Sequence, residues 1–165
     1  MMSVSAPILQ EYFHVELPRR VNVGIPLGQT AEVLSVEPRD ISLVPGVSAA
    51  LLGISNHRGR LLWMLDLLKL LGVEHAWGRS PHQRWTALVM RDTDGSSPRQ
   101  LACLVSQLRG IIHVSPQQQQ PVPQRLQGQV QQYLQGFVQL DGLPILLLNV
   151  EAVFEAVAYS AAPAL

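Results

Sequence analysis

Apolar and polar residues alternate along much of this chain, and short turns cut the alternation at regular intervals. In 11–17, Phe13, Val15 and Leu17 make a dry face opposite Tyr12, His14 and Glu16, so the segment reads as a strand. Pro18-Arg19-Arg20 supplies a turn, and Val21 to Leu27 alternates again before Gly28. Pro26 cannot donate to a ladder, which predicts an edge or irregular position there. Residues 31–36 are β-branched enough for a third strand, ended by Glu37-Pro38. A connection interrupted by Pro and Gly follows over 41–47, and a single helical turn is expected at Ser48 to Leu52.

The stretch from Gly53 to Gly72 organises the chain. Asn56 to Gly59 is its one polar break between apolar runs, and Gly59 can take the positive φ of a tight reversal, which predicts strand, turn, strand. After Asp66 the apolar residues fall at 67, 68, 70 and 71, nearer the helical repeat, with Asp66 able to cap and Gly72 able to close. A hairpin therefore feeds a short helix.

Beyond it, 73–84 has the Gly, Ser, Pro, His and Arg composition of an exposed loop. Trp85 to Met90 and Leu101 to Ser106 flank a polar segment at 91–99 and predict a hairpin with a long loop. Leu108 to Val114 reads as a strand, 115–123 as extended because its prolines oppose a helix, and 126–134 as a short helix. Phe137 to Leu140 and Leu143 to Val150 flank Asp141-Gly142, the strongest two-residue hairpin signal present. Residues 149–158 look helical, with Asn149 as cap and Val150, Val153, Phe154 and Val157 on one face. Nine or ten short strands without strand-helix-strand alternation predict a mainly β fold, antiparallel, closed as a barrel or packed as a sandwich.

Composition narrows the functional classes. A chain of 165 residues can build one well-buried domain or two small halves sharing a core. Twelve basic residues balance twelve acidic ones, so neither phosphate neutralisation nor attachment to an anionic membrane is supported. No run approaches the roughly 18 apolar residues that span a bilayer, and the N-terminus lacks a signal-peptide pattern. A cytoplasmic protein is expected, without membrane insertion or nucleic-acid binding. The single cysteine, Cys103, lies in an apolar run and reads as a buried, inert thiol.

Catalytic patterns are scarce. His14, His57, His75, His82 and His113 show no metal-ligand spacing, and one cysteine cannot build a structural zinc site, so neither metal nor cofactor is expected. Ser55 follows Gly53-Ile54 but lacks the second glycine of a nucleophile elbow. Glu151 and Glu155, one helical turn apart, read as a solvated face, and Trp63, Trp77 and Trp85 are not interleaved with a basic stripe.

The Asn56-His57-Arg58-Gly59 turn, the apolar strand after it and Asp66-Leu67 leading into a short helix resemble the pattern of CheW-like domains, the coupling proteins of bacterial chemosensory arrays. Tyr12 to Leu17, Val23 to Leu27 and Glu32-Val33-Leu34 look like the family's opening strands. Leu101 to Pro123 resembles its second hairpin and linker, and 133–151 its closing strands and last helix. The resemblance implies two tandem five-stranded β-barrel subdomains sharing an apolar seam, with short peripheral helices, in a single domain over 10–158 between flexible termini at 1–9 and 159–165. It further implies a non-enzymatic adaptor that couples methyl-accepting chemoreceptors, through their cytoplasmic tip, to the regulatory domain of a CheA-like histidine kinase in signal transduction controlling motility. A small-molecule or lipid-binding β-barrel carrier is the alternative, and it requires a ligand-sized interior void.

The residues matching the family's partner-binding positions are Glu32, Asn56, Arg58 and Gly59. Two departures join them: His57, where the family is often aliphatic, and Trp63, where it commonly has Pro. These point to a subfamily with its own partners, such as type IV pilus or phototaxis systems. All of these positions except His57 also have a structural reading. Arg58 either pairs with Asp66 or contacts a partner carboxylate, and Asn56 and Gly59 shape the turn. Glu32 is either a wet strand residue or part of the receptor-facing surface, while Trp63 either anchors an interface or packs inside.

Overall fold

The computed structural model describes residues 8–77, 83–92, 99–126, 128 and 130–161. Residues 1–7 and 162–165 of the expected flexible termini, His82 in the expected loop, and 93–98 of the long hairpin loop lie outside them. The described residues form ten strands and two α-helices: β1 (Gln10–Leu17), β2 (Val21–Pro26), β3 (Thr30–Val36), β4 (Leu51–His57), β5 (Arg60–Leu65), α1 (Leu67–Leu70), β6 (Trp85–Arg91), β7 (Gln100–Val105), β8 (Gln107–Val114), β9 (Leu134–Leu140), β10 (Leu143–Leu148) and α2 (Val150–Ala161).

Five strands make a terminal sheet in the order β8-β1-β2-β10-β9, and five make a central sheet in the order β3-β6-β7-β5-β4. Pairing is antiparallel except between β2 and β10 and between β5 and β7. Neither ladder closes on itself, so the expected barrels are open sheets among the described residues. One isolated bridge spans each gap, Ser42 to Ile54 and Gln120 to Phe137. Prolines shortly after β3 (Pro38) and β8 (Pro116) stop those strands from extending into a continuous ladder.

The tandem arrangement is corrected as well. β2 runs on into β3 of the other sheet, and β7 into β8, so each sheet takes a hairpin from one half of the chain and three strands from the other. The two halves nonetheless follow one plan. Trp63 of β5 lies beside Leu101 as Leu146 of β10 lies beside Val23. β4 against β5 shifts register between Leu51 and Gly53, and β9 against β10 does so at the corresponding place. The turns Arg58-Gly59 and Asp141-Gly142 both have positive φ at both residues.

Helix starts repeat too. Asp66 accepts from the Lys69 N–H at 3.1 Å, and Asn149 Oδ1 accepts from the Ala152 N–H at 3.2 Å. α1 ends as Gly72 permits: at φ 81 it donates to Lys69 O while Val73 donates to Leu68 O, satisfying two terminal carbonyls.

Three apolar clusters fill the fold. One lies inside the central sheet, around Leu34, Leu62, Met64, Val89 and Leu104. A second lies inside the terminal sheet, around Tyr12, Val138, Ile145 and Leu147. The largest is the shared seam, where Val15, Leu17 and Ile25 meet Leu65, Leu88 and Cys103, and where both helices insert Leu67, Leu68, Val153 and Phe154. Alternation thus feeds two cores from each strand, at about 1.5–3 kcal/mol for each large apolar side chain fully buried.

Three local expectations change. Ser48 to Leu52 is not a helical turn: Leu51 N donates to Ser48 O, and β4 begins at Leu51 because that side chain is needed in the seam. The helix expected over 126–134 is not formed: among the described residues Gln124–Leu126 and Gln131–Tyr133 are 3₁₀ turns and Leu134 opens β9, since Gly128, at φ 114, leaves the helical region although Leu126, Val130 and Tyr133 still pack on the seam. β2 is an interior strand, and Pro26 is tolerated at its last position, beyond the Val23 and Gly24 pairing with β10.

Candidate partner-binding site

Arg58 and Gly59, at φ 51 and φ 82, form a two-residue turn between His57 and Arg60, which face each other in the ladder. Two left-handed residues match the twist of the flanking strands. The Gly59 N–H donates to Asn56 Oδ1 at 3.0 Å, so Asn56 braces the turn from one side. Arg58 sits exposed at the tip.

Register places the remaining residues. Arg60 shares the inner face of β5 with Leu62 and Met64, and His57 opposite Arg60 falls on the same face of β4. Glu32 shares the inner face of β3 with Leu34, and Gln100 that of β7 with Ala102. Arg60 Nη2 lies 3.1 Å from Glu32 Oε1, and Arg60 Nη1 donates to Gln100 Oε1 at 2.6 Å. His57 Nε2 lies 3.9 Å from Glu32 Oε2, too far for a hydrogen bond, and is buried with no hydrogen-bond partner among the described residues. A polar group therefore covers the mouth of the central sheet. Beside it a cavity of about 160 Å³ opens between β3 and β4, lined by Val36, Ser55, Asn56, His57 and Arg84.

Glu32, Asn56, His57, Arg58 and Gly59 thus gather at one end of the central sheet, while Trp63 does not join them. It takes the opposite face of β5, half-buried against the seam. Arg58 does not pair with Asp66. One lies before β5 and the other after it, roughly 25 Å apart along extended chain, and the buried Asp66 is engaged by His75 Nε2 at 2.7 Å. Arg60 and Gln100 are the residues the sequence reading missed. The alternation of Arg60 with Leu62 and Met64 shows its face, but partners 28 and 40 residues away leave no local signal.

On the seam side, edge strands expose apolar residues. Val33 of β3 pairs with Leu88, while Ile111 and Leu108 of β8 pair with Phe13 and Val15, so all three point to the face that carries the seam. They are exposed there nonetheless. Among the described residues no His, Cys, Asp and Glu cluster could hold a metal ion, and no helix is long and apolar enough to cross a membrane.

The family model described as CheW-like domain matches residues 11–158. Among solved structures, the scaffolding protein TtCheW from Thermoanaerobacter tengcongensis superposes with a TM-score of 0.68 at 17% identity, over 91% of this chain and 90% of that one. Sequence comparison with curated proteins finds no match. The family match runs from β1 into α2 and takes in both sheets, the turn at Asn56 to Gly59 and the Asp66 cap: the chain belongs to the CheW-like domain family.

Proposed function

We propose that the protein is a non-enzymatic cytoplasmic adaptor that binds the regulatory domain of a CheA-like histidine kinase and the cytoplasmic tip of a chemoreceptor, with residues 10–158 acting as one functional domain. Membership of the CheW-like family supports the reading, and so does the description of the structurally similar TtCheW as a scaffolding protein. The observation that carries it is the exposed apolar set on two equivalent edge strands, Val33 on β3 and Leu108 and Ile111 on β8. Exposed apolar side chains rimmed by charge suit a protein partner, since apolar area supplies the energy and polar rims fix the orientation. The exposed Arg58 and the Glu32-Arg60 pair supply charge of both signs near one end of the central sheet. His57 and Trp63 depart from the family pattern and favour a partner set of its own, such as a type IV pilus or phototaxis array.

Titrating the purified chain with the regulatory domain of its cognate kinase by calorimetry tests the reading. A saturable complex weakened by Val33→Glu and by Ile111→Glu is expected. Absence of binding at tens of micromolar overturns it.

A further inference from the structure

The two sheets share a plan, yet their mouths are furnished differently. In the central sheet Arg60 spans the opening between Glu32 and Gln100. The repeated register puts Leu143 in the place of Arg60, Gly110 in that of Glu32 and Asn22 in that of Gln100. The terminal sheet therefore lacks both the long side chain and the carboxylate that fill the other opening. What stands there is a cavity of about 760 Å³, lined by His14, Glu16, Arg20, Asn22, Arg109 and Leu143 among others.

Its floor is polar where the central sheet is apolar. His14 takes the place of the buried Val89, and is itself buried with Asn22. His14 Nε2 lies 2.8 Å from Asn22 Oδ1, and Asn22 Nδ2 donates to Arg20 O at 3.2 Å. Because the Asn22 amide hydrogens face Arg20, its oxygen accepts, and the network assigns the proton to His14 Nε2. Keeping a polar pair where valine serves in the other half costs desolvation.

The charges around the cavity do not cancel. Arg109 donates to Glu16 Oε2 through both Nε and Nη2, so that pair is neutral. The Arg20 guanidinium has no ion pair among the described residues. Arg19 and Arg20 are both held at positive φ, 63 and 58, a conformation disfavoured for residues other than glycine. The hydrogen bond from Asn22 ties that turn to the cavity floor.

We propose that the mouth of the terminal sheet binds a small organic carboxylate. The carboxylate meets Arg20 and the N–H groups of Arg109 that Glu16 does not occupy, and a short hydrocarbon body lies against Leu143. Charge-assisted bonds to guanidinium make the carboxylate the recognised group.

The test is an NMR titration of the whole chain with butyrate, using the uncharged butyramide as control and following the His14 ring and Arg20 side-chain resonances. Saturable shifts with butyrate are expected, with an affinity at least roughly tenfold above that for butyramide. Arg20→Gln, at an exposed position, loses the response. Leu143→Glu, which sets a carboxylate at the mouth to repel the ligand and compete for Arg20, loses it too wherever the amide spectrum shows the fold retained. Equal responses to the two compounds, no saturation, or a butyrate response unchanged by Arg20→Gln would overturn the proposal.

Discussion

His75 and Asp66 form a buried pair, with Nε2 of one 2.7 Å from Oδ1 of the other. The same carboxylate oxygen accepts from the Lys69 N–H, so Asp66 both starts α1 and pins the segment that leaves it. His75 meets Trp77 edge to face at 5.6 Å, and Trp77 leans on Trp85 at 5.5 Å. His75→Ala strands a buried carboxylate with one partner fewer and is expected to cost about 1–3 kcal/mol. Thermal unfolding should show Tm lower by several degrees. An unchanged Tm would mean the pair does not anchor this segment.

Burial in the seam, and to a lesser degree the charge of Asp66, pushes the Cys103 thiol up to about 12 from 9.0. A folded value above the unfolded one means the neutral thiol's contribution is complete below about pH 9 and is lost as pH rises through about 12. Cys103→Val removes that titration, so urea unfolding should show the variant losing less stability than the parent between about pH 8 and about pH 10.5. Equal losses would contradict the shift.

Gly53 and Gly136 are matched close approaches. A Cβ on Gly53 would meet Ser42 O at 2.2 Å, and one on Gly136 would meet Gln120 O at 2.6 Å, each beside an isolated bridge. Gly53 also has φ 144, whereas Gly136 needs no positive φ, so Gly136→Ala isolates the steric part. We expect Gly136→Ala to destabilise by about 1–3 kcal/mol and Gly53→Ala by more. Denaturant midpoints measure both, and near-neutral Gly136→Ala would show that the Gln120 segment shifts freely.

Arg58 is exposed in a left-handed turn position that asparagine fills at less cost. Arg58→Asn should raise stability by about 0.5–1 kcal/mol, while Arg58→Glu should leave Tm close to that of the parent. Both are expected to weaken the proposed complex with the kinase regulatory domain, the second more strongly. A large fall in Tm for Arg58→Glu would assign the residue to the fold instead.

Local signals announced local structure. Asp66 and Gly72 bounded α1, and Asp141-Gly142 marked the β9-β10 turn, because caps and turns are set by residues a few positions apart. Alternation told which side chains share a face but not whether that face is covered, so Tyr12 and His14, opposite the dry face of 11–17, are buried in the structure. It carried no information about which strand lies alongside. For that reason the crossing from β2 into β3, the Arg60 bridge to Glu32 and Gln100, and the pairing of Asp66 with His75 rather than Arg58 became visible only in three dimensions. At the candidate site the turn was legible and its ionic surroundings were not.

The exchange of strands between halves has a mechanical result. A cut in the backbone between α1 and β6 would leave two fragments, neither owning a complete sheet: one would carry β1 and β2 without neighbours on either side, the other β6 and β7 likewise. The fragments would have to clasp each other to rebuild either sheet, so thermal unfolding in a single cooperative step is expected.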